Sequence, residues 1–157
     1  MKIVSEGSRT EKETKILMED ILSRKVTAHL ATVEDGLPKD SPVWFLWDGE
    51  AVWVIGHSVE NTFTHRIRRE PSCALGVVDF NPEDGTFLHV GIRGKGELLP
   101  HREDLVHQLF DKYMGEEPWD DRFTRIQGDA SWMMIRITPG TVVVRDQSYQ
   151  MMEGENG

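Results

Sequence analysis

Residues 26–71 run VTAHLATVEDGLPKDSPVWFLWDGEAVWVIGHSVENTFTHRIRREP, and this stretch restricts the fold more than any other part of the chain. It holds three short apolar segments, at 26–33, 40–47 and 51–56. Glu34-Asp35-Gly36 and Asp48-Gly49 separate them. An acidic residue followed by glycine forms a tight turn, because glycine accepts positive φ without a steric penalty. Connections this short join antiparallel neighbours, so the three segments predict two successive hairpins. Pro42 cannot donate to a ladder, which puts the second segment at a sheet edge or a bulge. A helix over 61–69 follows, with Asn61 at its N-cap and Pro71 enforcing its end.

The rest of the chain extends this pattern. Thr10 and Glu13 have capping-box spacing, and Ile16, Leu17, Ile21 and Leu22 form an apolar stripe, predicting a helix over 10–24. A strand is expected at 73–79, then a turn-rich loop at 80–86. A long strand at 87–99 follows, interrupted by Gly91, Gly94 and Gly96 at bends of the kind barrels need. A helix at 101–114 turns Leu105, Leu109 and Phe110 inward. A last hairpin is expected from strands 131–138 and 141–146 around Pro139-Gly140. The acidic stretch 115–128 has no assignable pattern; it either covers a site or packs at a subunit edge. The expectation is a mainly β chain: a six- to seven-stranded antiparallel split barrel with two or three peripheral helices. One domain over 1–157 is expected, with nine N-terminal and about ten C-terminal residues flexible.

Charge and composition narrow the function. A net charge of −9 over 157 residues opposes non-specific nucleic-acid binding. No apolar run approaches the ~20 residues of a membrane helix. The start, MKIVSEGSRTEKE, lacks the apolar centre of a signal peptide. Cys73 is the one cysteine, and no internal disulfide is available. These features fit a cytoplasmic protein that does not bind membranes.

Several chemistries find no support. Six scattered histidines and one cysteine give no HExxH and no paired CxxC, so no metal site is expected. Gly91-Ile92-Arg93-Gly94-Lys95-Gly96 has the wrong spacing for a nucleotide loop and lies within a strand. Nothing near Cys73 in sequence lowers its pKa, so it reads as a buried thiol.

One constellation remains. His65, Arg66, Arg68 and Arg69 are the densest basic cluster of an acidic chain, in the helix after the third strand. Such a cluster is either a solvated helix face or a phosphate site. A phosphate would find backbone donors and the favourable dipole end at the helix start. Ser58 and Thr62 offer hydroxyls, and Arg66 a bidentate cation.

The order of these parts resembles the flavin-binding split-barrel family related to pyridoxamine 5'-phosphate oxidase. The pieces are the N-terminal helix, LATVEDGLPKDSPVWFLWDGE, the RREP helix end, IRGKGELL and IRITPGTVVVRD. The resemblance covers roughly residues 12–146. It implies a homodimer with FMN at the subunit interface. Ser41, Pro42, Val43 and Trp44 would run beside the flavin ring. His57 and Ser58 would approach the phosphate end. The family usually has lysine at the position of Phe63 and asparagine at that of Arg66, and this chain departs at both. Arg66 or His65, or Arg93 or Lys95 from the partner subunit, would then supply the phosphate's cation.

The chain lacks the longer basic C-terminal segment of true pyridoxamine 5'-phosphate oxidases. The resemblance therefore implies an oxidoreductase acting on another small molecule, with FMN or the deazaflavin F420. A non-catalytic flavin or tetrapyrrole binder, and a cofactor-free barrel holding an apolar ligand near Trp44 and Phe63, remain alternatives.

Overall fold

The acidic-glycine turns form where the sequence places them, and they organise the barrel. In the computed structural model, which describes residues 1–153, Asp35 and Gly36 both take positive φ, at 51° and 76°. They join β2 (Ala28–Glu34) to β3 (Leu37–Val43) in register from Ala28↔Val43 to Glu34↔Leu37. The Asp48 carboxylate closes the next turn. It accepts the amides of Glu50 and Ala51 and the Trp53 indole N–H at 2.7–2.8 Å, joining β4 (Leu46–Trp47) to β5 (Val52–His57).

The remaining elements are β1 (Lys2–Ser5), α1 (Glu11–Ser23), α2 (Thr62–Arg69), β6 (Ser72–Asn81), β7 (Thr86–Leu99), α3 (Glu103–Met114), α4 (Asp121–Gln127) and β8 (Trp132–Asp146). The sheet order is β3-β2-β6-β7-β8-β5-β4, with β1 added to β8. β3 is thus an edge strand, which is why Pro38 and Pro42 are tolerated there. The mainly β split barrel expected from sequence is present, with eight strands and four helices among the described residues.

Five expectations need correction. The N-terminal residues expected to be flexible include β1, whose pairing with β8 is parallel, from Lys2↔Thr141 to Ser5↔Val144. The final hairpin is one continuous strand. β7 pairs with β8 on both sides of Pro139-Gly140, which form a bulge opposite Arg93/Gly94. The segment expected as one strand at 40–47 breaks between Val43 and Leu46. The segment 115–128 contains α4, capped by Asp120. At the other end, the Gln147 and Tyr149 amides bond Phe87 and Gly85 carbonyls. The flexible tail expected at the C-terminus is therefore anchored through Tyr149; residues 154–157 lie outside the described residues.

Two apolar layers result from the alternation of strand residues. Leu30, Val54, Leu75, Val90, Ile92, Ile137 and Val142 point into the barrel. α1 closes one end with Met18, Ile21 and Leu22, anchored by the Arg24–Asp79 ion pair at 2.8 Å. Its capping box is formed as the Thr10 and Glu13 spacing requires. α2 closes the opposite end, with Ile67 against Gly96. On the outside of β5 and β8, Trp53 and Met134 pack under Leu105, Val106, Leu109 and Phe110 of α3.

Lys112 ties these layers together. Its ammonium donates to the Leu22 carbonyl at 3.1 Å and the Phe45 carbonyl at 2.9 Å, over the Phe45 ring. Burial lowers its pKa from 10.5 to about 8. Between these values the unfolded chain holds the proton and the folded one releases it. Stability conferred by this group therefore rises with pH from about 8 towards 10.5, and below 8 the full cost of burying the charge is present. Cys73 and Tyr113, pushed up to about 11 and 12 by burial, act in the opposite sense above about pH 9. Both remain in a Lys112→Met variant, so the difference between the two proteins isolates the lysine. Urea midpoints at pH 7.5, 8.5 and 9.5 are expected to rise relative to those of the variant; midpoints that run parallel in the two proteins would show that the lysine has no such effect.

Candidate functional site

An apolar slot of about 240 Å3 lies at the seam where β3 leaves the sheet and α2 begins. Pro42, Val43 and Trp44 form one wall, and Ile55 on the outer face of β5 forms the base. Asn61 and Phe63 close the α2 end, with Trp132 beside them at the start of β8. Leu109 and Phe110 of α3, with Phe123 and Ile126 of α4, form the roof. The site therefore joins residues far apart in sequence through the packing of α3 and α4 on the barrel's outer face.

The slot's aromatic side chains are held by one another. Trp44 stacks on Tyr113 with centroids 4.5 Å apart and planes 6° apart, and lies within 12° of parallel to Phe123 at 5.8 Å. The Tyr113 hydroxyl donates to the Val26 carbonyl at 2.8 Å, fixing the partner of Trp44. Trp132 meets the His57 ring edge-on at 5.4 Å.

The corner between β5 and α2 is closed by local bonds. A Cβ at Gly56 would stand 2.5 Å from Thr64 Cγ2 and 2.8 Å from Phe63 Cε2, so only glycine lets α2 approach this closely. The His57 amide donates to Asn61 Oδ1 at 2.6 Å. The His57 ring Nδ1 accepts from the Val59 and Glu60 amides at 3.2 and 3.1 Å, which places the ring proton on Nε2 in the neutral form. The Ser58 amide donates to the Ser131 carbonyl at 2.8 Å. These amides, at the expected phosphate end, already have partners within the chain.

The sequence-predicted residues separate into two groups. Pro42, Val43, Trp44 and Phe63 converge on the slot; Ser41, His57, Ser58 and Thr62 border the same seam without lining it. Arg66 instead turns into the barrel end. It is 8% exposed, and its Nε donates to the fully buried Thr32 hydroxyl at 2.7 Å. Arg93 lies on the outer face of β7, in a separate groove of about 420 Å3 with Ala31, Thr32 and Ala74. Among the other basic residues, the His65 ring meets the Val59 carbonyl and Arg69 pairs with Glu34.

The burial of Arg66 has a measurable consequence. Arg66→Ala is expected to lower stability by about 1–3 kcal/mol, because it strands the Thr32 hydroxyl in the barrel. Chemical denaturation measures this directly; an unchanged midpoint would show that Arg66 is not held there.

Asn61, Leu109, Phe110, Phe123, Ile126 and Trp132 did not emerge as site residues from sequence. For α4 a signal exists: Asp120 as N-cap, Phe123 and Ile126 at i and i+3, and Gly128 just past the end. No group of three or more metal-ligating side chains occurs among the described residues. No described helix is long and apolar enough to cross a membrane.

Solved structures share this fold over most of the chain. A conserved hypothetical protein from Mycobacterium tuberculosis superposes with a TM-score of 0.68 at 20% identity, over 96% of each chain. An F420 reductase is 30% identical, with a TM-score of 0.59, over 79% of this chain and 94% of that one. A Listeria innocua protein named after pyridoxamine 5'-phosphate oxidase is 22% identical, with a TM-score of 0.62, over 85% of this chain and 98% of that one. No family model and no curated protein matches the sequence.

Proposed function

Because the chain belongs to the pyridoxamine 5'-phosphate oxidase-like split-barrel family, we propose that it is a dimeric oxidoreductase using a flavin-type cofactor, FMN in the first instance, on a small molecule other than pyridoxamine phosphate. The observation that carries this reading is the convergence of Pro42, Val43, Trp44 and Phe63 on one slot at the β3–α2 seam. The free edge of β3 leaves a row of backbone groups unpaired, suited to the donors and acceptors of a flavin ring.

The ring end of such a cofactor fits these residues, and the phosphate end needs a cation from a position other than 63 or 66. Phe63 stands where the family has lysine, and Arg66 is committed to Thr32. A second copy would meet this need with Arg93. The outer face of β6 and β7 beside Arg93 has Ala74, Gly76 and Gly91, flanked by His89 and Arg145, which leaves a shallow groove for another copy to approach.

When bound, the cofactor supplies the hydride chemistry. The chain's own residues bind and orient. Trp44, fixed by Tyr113, defines the wall along which the ring lies. α3 and α4 cover one side of the slot with apolar side chains, and no side chain lining it titrates near neutral pH. At about 240 Å3 the slot is smaller than the ~300–1,000 Å3 of pockets that enclose a whole drug-sized ligand, so it suits a substrate or one ring rather than an entire cofactor.

F420 is the second reading. It is favoured by the 30% identity to an F420 reductase and by the missing lysine. The deciding experiment is a visible spectrum after incubation with FMN or F420 and desalting, with the mass measured by light scattering. Retained FMN on a dimer supports the first reading. Retention of F420 alone supports the second, and a colourless monomer rejects both.

A further inference from the structure

We infer that His101 is a positioning residue for the slot: with two ring protons it clips the end of α4 to the start of β8, and loss of one proton frees the roof. The clip stands on geometry; its meaning for catalysis rests on the reading of the slot as the substrate site.

His101 lies in the short connection between β7 and α3 and does not itself line the slot. Its ring is held between two backbone oxygens. Nδ1 meets the Trp132 carbonyl and Nε2 the Gln127 carbonyl, each at 2.7 Å. A carbonyl oxygen only accepts, and a neutral imidazole has one N–H and one bare nitrogen. Either neutral tautomer therefore sets a ring lone pair against a carbonyl lone pair. The imidazolium donates to both, at the short distance of charge-assisted bonds. Gln127 is the last residue of α4, where carbonyls lack a partner within the helix and a cation is favoured. His57 shows the opposite arrangement: its Nδ1 accepts two amides, which suits the neutral ring.

Both carbonyls belong to pieces of the slot. Trp132 stands beside its α2 end, and α4 carries Phe123 and Ile126 of the roof. α4 has no buried residue, and its aromatic contacts come from Phe123 against Trp44 and Phe110. A bond at its C-terminal end thus counts for more than it would on a deeply packed helix. Losing that bond lets the roof lift from the Pro42–Trp44 wall.

The charges around the clip fix the sign. On the α4–β8 connection, the exposed Asp129 carboxylate accepts the Ser131 amide at 2.9 Å. That residue's bonds first, then His57 and His101, hold Asp129 below the usual carboxylate range, so it stays ionised and favours a charged His101. On α4, Arg125 lies in the last turn, Arg122 lies over the Phe123 ring at 4.7 Å, and Asp120 and Asp121 stand at the far end. Arg102, next to His101, pairs with Asp104 of α3, and Glu103 begins that helix. Arg68 of α2 reaches Met133, beside Trp132. The arginines keep their charge throughout the range in which histidine titrates and supply no pH dependence. His107, 3.6 Å from Glu117 in the segment leading to α4, can supply one and needs its own control.

The test uses the full chain without ligand. Hydrogen exchange of the α4 amides is expressed relative to α1, at another end of the barrel, which cancels the general rise of exchange with pH. Between pH 6 and pH 8.5 the relative protection of α4 is expected to fall about tenfold, as one charge-assisted bond is lost. His101→Gln cannot donate from two opposed atoms, and is expected to keep α4 at the low level at both pH values. His101→Lys retains a cation with three donors, and is expected to hold α4 at the high level at both. His107→Gln is expected to keep the wild-type fall. Nitrogen NMR of the wild-type chain at pH 6 should show both His101 ring nitrogens protonated, a readout that needs no variant to fold. A merely structural His101 would lower protection in both variants without any dependence on pH. That result, a pH-independent wild-type α4, a fall that survives in His101→Gln or disappears in His107→Gln, or a singly protonated His101 ring at pH 6 overturns the inference. No ligand enters these measurements, so they judge the clip whether or not the chain retains FMN or F420.

Discussion

Phe63→Lys is expected to raise FMN affinity by about 10- to 100-fold while making the fold less stable. Phe63 lies in the first turn of α2 at the β3–α2 seam, where a helix start favours an anion and the family carries lysine. A charge-assisted bond to phosphate contributes about 1.5–3 kcal/mol, which converts to that range. The cost lies in the packing. Phe63 is 8% exposed and belongs to the barrel core beneath Gly56. Removing a buried phenylalanine side chain costs about 3–5 kcal/mol. A lysine stem recovers part of that by lying along the same apolar surface with its ammonium directed outward. A loss of about 2–4 kcal/mol is therefore expected. Flavin fluorescence quenching gives the affinity and urea denaturation the stability. A folded variant with unchanged FMN affinity would remove the phosphate from the start of α2. Riboflavin serves as the control, because it has no phosphate and should gain nothing from the lysine.

How much of this site was legible depended on whether one segment or several define it. The β2–β3 and β4–β5 turns are local: Asp35-Gly36 and Asp48-Gly49 determine them without help from the rest of the chain. α1 is equally local, through Thr10 and Glu13. β1 is not. Lys2–Ser5 is too short to announce a strand, and it exists because β8 offers a partner. Pro139-Gly140 reads as a hairpin turn, yet β7 continues past it and turns the same two residues into a bulge. The basic cluster around Arg66 reads as a solvated helix face or a phosphate site, with Arg66 as the phosphate's cation. The contrary signal was present: Phe63, Arg66 and Ile67 have i, i+3 and i+4 spacing, which puts Arg66 on the buried stripe. The slot's roof could not be read from any one segment, since it appears only when Leu109 and Phe110 of α3 and Phe123 and Ile126 of α4 meet the β3 wall.

The bulge that joins the two halves of β8 predicts a large stability effect of a single methyl group. Gly94→Ala is expected to cost about 2–3 kcal/mol, whereas Gly140→Ala, across the same bulge, costs less than about 0.5 kcal/mol. The difference lies in what each new Cβ meets. At Gly94 it would stand 2.1 Å from the Thr138 carbonyl oxygen and 3.2 Å from Pro139 Cα. These are backbone atoms of the partner strand, so relief requires the β7–β8 ladder to open at the point where its register shifts. β7 pairs on both sides, with β6 and β8, and cannot swing outward as an edge strand would. At Gly140 the new Cβ would stand 3.4 Å from the Arg93 carbonyl oxygen, an ordinary contact. For a chain of this length each kcal/mol corresponds to roughly 2–4 °C, so Gly94→Ala is expected to melt about 4–12 °C lower. Paired thermal melts of the two variants decide the matter. Equal melting temperatures would mean that the ladder yields freely at the bulge, and that β8 behaves as the two-stranded hairpin its Pro139-Gly140 sequence suggests.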